Sequence, residues 1–256
     1  MKRNLLTLAT LTTALSPLHG EEPTVPPVAT FSIVAVDQET GEIGVAVQSR
    51  IVGVGAIVPW AKACVGAVAT QAYANVRYGP VGLVMMELGS TPEQAIEMLT
   101  KADPLRDKRQ VGIVSADGVS ASYTGEGCQD WAGGVTGEGY AVQGNILAGE
   151  GVVTAMAEAF EKTNGELAER LLAALDAGQA AGGDKRGMQS AALLIVHEGW
   201  GYGGLNDRFR DIRVDEHEDP IAELRRVYEK HCALFPRPMV KKADQSPPPD
   251  PEPEPK

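Results

Sequence analysis

Apolar and polar residues alternate in short runs along most of this chain and give way in three places to a helical period. Thr30-Phe31-Ser32-Ile33-Val34-Ala35-Val36 and residues 42–49 flank the turn Asp37-Gln-Glu-Thr-Gly41, a pattern that predicts a β-hairpin. Residues 51–70 are rich in Val, Ala and Gly and poor in charge, which fits buried strands packed close to other backbone. The period then changes. Residues 80–88 and 91–101 read as two helices, the second opened by Thr91, with Pro92 at its first position and Glu93 in its first turn.

Strands return at 110–115 and 119–123, joined through Asp117-Gly118, and again at 139–143. Two amphipathic helices follow, one presenting Val152, Val153, Met156, Ala159 and Phe160 on a single face, the other Leu167, Leu171, Ala174 and Leu175. A strongly apolar strand at 190–196, a glycine-rich loop, a short strand near 212–214 and a last helix from Asp219 complete the pattern. Ile221, Leu224, Tyr228 and Cys232 point inward from that helix. This order lets strands from both ends of the chain pair into stacked sheets with helices outside. The expected class is α+β, as a four-layer α-β-β-α sandwich; a two-layer α+β fold is the alternative the pattern leaves open.

The two ends carry different signals. Residues 1–20 begin with Lys2 and Arg3, continue through the apolar Leu5 to Leu15 and end at a small residue, Gly20. That is the layout of a signal peptide, and its apolar run is too short to span a bilayer. Residues 21–29 form a Pro-rich connector or propeptide, 30–235 the folded domain, and 236–256, with its Pro-Glu-Pro-Glu-Pro run, an extended tail. The expected location is secreted or periplasmic, with no membrane insertion once the leader is removed. The net charge of −11 becomes more negative still without Lys2 and Arg3, which makes nucleic acid and anionic lipid poor partners. A homo-oligomer is compatible with this picture. Three cysteines permit one disulfide with one thiol left over, and their spacing does not suggest zinc.

The chemistry centres on Thr30. A threonine freed at a mature terminus brings a hydroxyl and an α-amine of pKa about 7.7–8.0 within one residue, so the amine can take the hydroxyl proton near neutral pH. The plainer reading is that a β-branched residue favours a strand. Ser32 faces the same side of the strand but cannot supply that amine while Thr30 remains attached. Asn145 offers an amide to a developing oxyanion, or forms a turn. Gln71, ending an apolar strand, either ties strands together or faces a pocket. In Gly182-Gly-Asp-Lys-Arg-Gly-Met-Gln-Ser190, Asp184, Arg186 and Gln189 stand at the mouth of an apolar strand, where Arg can grip a carboxylate or simply pair with the nearby Asp. Arg50, at the end of the hairpin, is a further candidate to orient substrate. Asp215-Glu-His-Glu-Asp219 sits where a helix begins, where acidic residues favour the N-cap and the dipole. No metal and no cofactor is expected.

Thr30-Phe-Ser-Ile-Val-Ala, Gly44-Val-Ala-Val, Gly66-Ala-Val-Ala-Thr-Gln71, Tyr78-Gly-Pro, Val142-Gln-Gly-Asn145, the Gly182–Ala192 segment and Asp211-Ile-Arg-Val-Asp215 together resemble the bacterial and archaeal domain-of-unknown-function family 1028. The resemblance covers about residues 29–233, nearly all of the expected folded body. That family is placed in the N-terminal nucleophile (Ntn) hydrolase superfamily, so the resemblance implies an Ntn-type four-layer sandwich and cleavage of an amide bond. Gln48-Ser-Arg50 closes the hairpin much as a Ser-Arg pair closes the first hairpin of a proteasome β-subunit. Some relatives carry a peptidoglycan-binding domain, which points to small amides or cell-wall peptides as substrates. The expected function is an exported amidohydrolase with Thr30 as nucleophile, Asn145 at the oxyanion, and Arg50, Gln71, Asp184, Arg186 and Gln189 binding substrate. The alternatives are a non-catalytic ligand- or peptidoglycan-peptide-binding protein of the same fold, and a purely structural partner domain.

Overall fold

The computed structural model describes residues 27, 28 and 30–239. The expected signal peptide, residues 21–26 and 29 of the connector, and residues 240–256 of the tail lie outside the described residues. In chain order the elements are β1 (Thr30–Asp37), β2 (Glu42–Ser49), β3 (Pro59–Lys62), β4 (Gly66–Ala72), α1 (Tyr78–Glu87), α2 (Pro92–Lys101), β5 (Arg109–Ser115), β6 (Ser120–Thr124), β7 (Gly133–Gly137) and β8 (Tyr140–Asn145). They continue with α3 (Gly151–Lys162), α4 (Leu167–Ala180), β9 (Ser190–Val196), β10 (Arg208–Val214) and α5 (Pro220–Leu234). The strands form two antiparallel sheets, ordered β10-β9-β2-β1-β8-β7 and β3-β4-β5-β6. The fold is therefore mixed α+β, with two antiparallel sheets and five α-helices among the described residues.

Local chemistry explains where elements start and stop. Asp37 accepts from the backbone N–H groups of Glu39 and Thr40, and Gly41 takes φ 79°, so the hairpin turn closes on itself. Thr91 and Gln94 form a reciprocal capping box that opens α2, and Asp219 accepts from Ala222 N to open α5 ahead of Pro220. Residues 51–70 hold a loop with a 3-10 turn as well as β3 and the start of β4, so that stretch is less regular than its composition implies. The glycine-rich β7 carries too little periodic side chain to read as a strand, and β10 begins four residues before the predicted 212–214.

Three apolar cores hold the layers together. Val34, Val45, Val47 and Leu194 face Ala67, Ala69 and Val114 between the two sheets. Ile33, Ala46, Leu193 and Ile195 point the other way, against Met156, Leu171, Leu175 and Leu224 of α3, α4 and α5. Val68, Val111 and Ile113 leave the second sheet outward to meet Leu83, Ile96 and Leu99 of α1 and α2. The larger sheet is thus covered on both faces, which explains the continuous burial of β1 and β2.

Cys64, Cys128 and Cys232 are all free thiols, so the disulfide their number permits is not formed. Cys128 Sγ donates to the Arg109 carbonyl, and burial pushes its thiol up to about 11, far from the reactive thiolate range. Arg237, within the stretch expected as tail, pairs with the buried carboxylate of Glu42.

In α1, a Cβ at Gly79 would come within 2.2 Å of the Trp60 ring. Gly79→Ala therefore trades a helix-propensity gain of about 1 kcal/mol against overpacking of about 1–3 kcal/mol. The clash is with a rigid ring, so net destabilisation is expected as a lower urea midpoint; an unchanged or higher midpoint contradicts this packing.

Candidate functional site

Thr30 is the first residue of β1, the strand flanked by β2 and β8 in the middle of the larger sheet. Register places Asn145 on one side of it and Ser49 on the other, and Ser190 follows beyond Ser49. Directly paired residues share a face, and Thr30 has the parity of Val34, so this polar row looks into the space between the sheets. Thr30 Oγ1 donates to the Val28 carbonyl at 2.9 Å and lies 3.1 Å from Ser49 Oγ, with which it shares a hydrogen bond. Ser190 Oγ donates to Ile51 O at 2.5 Å and accepts from Val54 N at 3.1 Å, fixing the chain that leaves β2.

Below this row lies a network of primary amides. Gln143 Nε2 donates to Ser32 Oγ at 2.6 Å, and Ser32 Oγ donates to Gln71 Oε1 at 2.6 Å, across to the second sheet. Gln71 and Gln110 are cross-strand partners there, and Gln71 Nε2 donates to Gln110 Oε1 at 2.8 Å. That same oxygen accepts from Asn145 Nδ2 at 3.0 Å, while Gln110 Nε2 donates to Gly144 O at 2.7 Å and Thr124 Oγ1 at 2.9 Å. Gln110 is therefore bonded to β4, β6 and β8 at once. Gln71 ties the sheets together, and Asn145 ends a strand rather than forming the turn that was its plainer reading. Gly112 makes room for the network: a Cβ there would fall 1.9 Å from Gln143 Oε1.

Residue 28 sits over the row. Val28 N donates to Ala72 O at 2.6 Å and Ala72 N donates back to Val28 O at 3.1 Å. The Val28 carbonyl oxygen thus receives three donors: Ala72 N, Thr30 Oγ1 and, at 3.4 Å, Asn145 Nδ2. Ala72 adopts φ 63°, and Ile146, immediately after Asn145, φ 56°. Such left-handed conformations cost a non-glycine residue about 1–3 kcal/mol each. The end of β4 is braced from outside by Arg109, which donates to Tyr73 O and, through Nε, to Asp103 Oδ2 at 2.9 Å. Asn75 Nδ2 and Tyr78 OH reach the same carboxylate, at 2.9 and 3.0 Å. Burial raises the Asp103 pKa, but Arg109, Asn75 and the Leu105 N–H together outweigh it and hold the carboxyl below its usual value.

The remaining sequence candidates gather at the outer end of the row. Gln189 N donates to Ser49 O at 3.1 Å, and Gln189 with Arg50, Arg186, Glu216, His217 and Glu218 lines an open cleft of about 600 Å³. Asp184 is not part of its lining. Its buried carboxylate accepts from the Arg50 backbone N–H at 3.3 Å and holds the Arg186 guanidinium through Nε at 3.2 Å and Nη2 at 3.0 Å, while Arg50 Nη1 donates to Met188 O at 3.4 Å. Sequence reasoning missed Ser49, Gln110, Gln143 and the Ala72 N–H. The available signal was a polar amide at the end of each of three apolar strands, the same signal that drew attention to Gln71.

A family model described as "Family of unknown function (DUF1028)" matches residues 30–224. No curated protein matches the chain. Among solved structures, the crystal structure of protein SPO2555 from Silicibacter pomeroyi, itself described with the DUF1028 family model, is 35% identical. It superposes with a TM-score of 0.73, over 80% of this chain and 89% of that one.

Two outcomes test this geometry. Gln110→Leu strips the shared acceptor from Gln71 and Asn145, leaving Gln71 Nε2 with the Thr30 and Gln143 carbonyls at 3.4 and 3.3 Å and Asn145 Nδ2 with the Val28 carbonyl at 3.4 Å; the lost bonds are expected to cost about 1–3 kcal/mol by denaturant unfolding, and an unchanged stability would mean the network re-forms without Gln110. The Asp103 carboxyl keeps its charge to lower pH when folded than when unfolded, so its contribution is complete above the unfolded value of about 3.9 and fades as pH falls through the folded one. Asp103→Asn is expected to flatten the decline of the urea midpoint below about pH 4, and an unaltered acid limb counts against the brace.

Proposed function

The chain belongs to the DUF1028 family of unknown function, and on that premise we propose that it is an exported amidohydrolase of Ntn type with Thr30 as its nucleophile. On this reading the two sheets, with helices outside each, are the four-layer α-β-β-α sandwich of such enzymes. Residues 1–20 are removed on export, and residues 21–29 are lost by self-cleavage or to another protease.

One observation carries the proposal: the convergence of Ala72 N, Asn145 Nδ2 and Thr30 Oγ1 on the carbonyl oxygen of Val28. That oxygen stands in for the oxygen of a substrate amide. Once the segment before Thr30 leaves, Ala72 N–H and the Asn145 amide are two preorganised donors beside a hydroxyl, the arrangement acyl transfer requires. Thr30 Oγ1 forms a bond to the amide carbon as its proton passes to the new α-amine. The tetrahedral oxyanion rests on the two donors. The C–N bond then breaks, the departing nitrogen takes the proton, and water hydrolyses the resulting threonine ester to a carboxylic acid and free Thr30. Ser49 holds the hydroxyl's rotamer, and Gln71 and Gln110 fix Asn145. The cleft at Arg50, Arg186 and Gln189 adjoins the row through Ser49 and receives the carboxylate of a small amide or a cell-wall peptide.

The second reading is a binding protein that uses the same cleft while Thr30 stays internal. The two-way hydrogen bonding of Val28 with Ala72 favours it, because it closes the row as long as residue 28 is attached.

Matured protein is expected to hydrolyse members of an amide and peptide panel, with kcat/KM rising through an apparent pKa of about 7–8 as the α-amine loses its proton. Thr30→Ala should abolish turnover and leave the unfolding free energy within about 1 kcal/mol of wild type. Ligand binding at Arg50 and Arg186 that survives Thr30→Ala, with no turnover by wild type, assigns the protein to the binding class instead.

A further inference from the structure

The last residues of β4 run past the strand beside them. β3 pairs with β4 as far as Pro59↔Ala69, and Thr70 N then reaches Val58 O at 3.2 Å. On the other side β4 pairs with β5, ending at Ala72↔Arg109. The open edge at Ala72 is filled by residue 28, in an isolated antiparallel bridge with Val28 N donating to Ala72 O at 2.6 Å and Ala72 N donating to Val28 O at 3.1 Å. Ala72 is 3% exposed, so both of its backbone groups lie where a missing partner is costly.

Val28 thus supplies more than a carbonyl. Its oxygen receives Ala72 N, Asn145 Nδ2 and Thr30 Oγ1, its N–H satisfies Ala72 O, and its side chain, 5% exposed, belongs to the apolar core between the sheets. Once the segment before Thr30 leaves, a ligand that engaged only the two donors would leave the Ala72 carbonyl oxygen without a protein or ligand partner. Displacing water from such an oxygen without replacing its hydrogen bond loses affinity. Such a ligand would also leave the space of the Val28 side chain unfilled. Pro27, next outward, is partly buried and has no N–H, so the pairing requires no further backbone donor.

We propose, on the reading of Thr30 as the nucleophile, that the substrates are peptides and N-acyl amino-acid amides in which a small apolar L-residue takes the place of Val28. The attacked carbonyl then belongs to an α-amino-acid residue that donates its own N–H to Ala72 O and buries its side chain between the sheets. The substrate is held by strand addition to the edge of β4, with main-chain bonds setting its position and the side-chain space setting its specificity. A simple amide with no N–H at that place is a poor substrate.

Four amides, assayed on protein matured by its host, test this: N-acetyl-L-valine p-nitroanilide, its N-methyl-valine and D-valine counterparts, and isovaleryl p-nitroanilide, which keeps the side-chain shape and lacks the N–H. The first is expected to show a kcat/KM at least about tenfold above each of the others. Calorimetric titration of the same protein with N-acetyl-L-valinamide and its N-methyl-valine counterpart reads binding apart from turnover, and at least about tenfold weaker binding is expected for the second. Equal turnover of the N–H and N-methyl compounds, or of the L and D forms, overturns the substrate class and leaves Thr30 as nucleophile. Binding that depends on the N–H, with no turnover of any amide, keeps the pairing with Ala72 and overturns Thr30 as nucleophile instead. Neither turnover nor N–H-dependent binding overturns both.

Discussion

Burying a primary amide is costly unless it is hydrogen-bonded, and in this protein the amides of Gln71, Gln110 and Asn145 meet that need across the line where the two sheets face each other. Gln110 accepts from Gln71 and Asn145 with one oxygen and donates to Gly144 and Thr124 with its nitrogen, so a shift of either sheet would unpair several groups at once. Apolar contacts between the sheets tolerate small slides, because they are not directional. The amide network does not. It converts a general attraction between two faces into a single register at the end where Thr30 lies.

The candidate chemistry follows from that register. Because β8 is held against β1, Asn145 stands beside Thr30; because β4 is held by Gln71 and braced by Arg109 and Asp103, the N–H of Ala72 points at the same oxygen. Ala72 and Ile146, both left-handed without being glycine, lie one on each side of this point. Strain of that kind persists where surrounding bonds over-determine the backbone, as they do here. The Val28 carbonyl holds both donors, Ala72 N and Asn145 Nδ2, and the proposed oxyanion role rests on that alignment.

The fold was largely legible in the sequence, because its signals are local. Thr91-Pro92 and Asp219-Pro220 mark helix starts through capping alone, and the hairpin announces itself by alternation around Asp37 and Gly41. The pattern gave out where side chains are small: β7 is mostly glycine, and the loop after Arg50 shares the composition of the strands around it. The site was legible as residue types and not as contacts. Thr30, Gln71 and Asn145 stood out individually, yet the meeting of Gln71 and Asn145 at Gln110 depends on pairings between residues 39 and 35 positions apart. Asp184 shows the same limit, since its charge suggested a ligand contact and its burial makes it a support for Arg186.

The account rests on Thr30 becoming a terminus, since only then does an α-amine stand beside its hydroxyl. Intact mass and N-terminal sequencing of the mature protein from its native host test this most directly. The account predicts a chain beginning at Thr30. A fully matured chain that retains Val28 would contradict it, because the Val28 carbonyl would then keep the donors that a substrate needs.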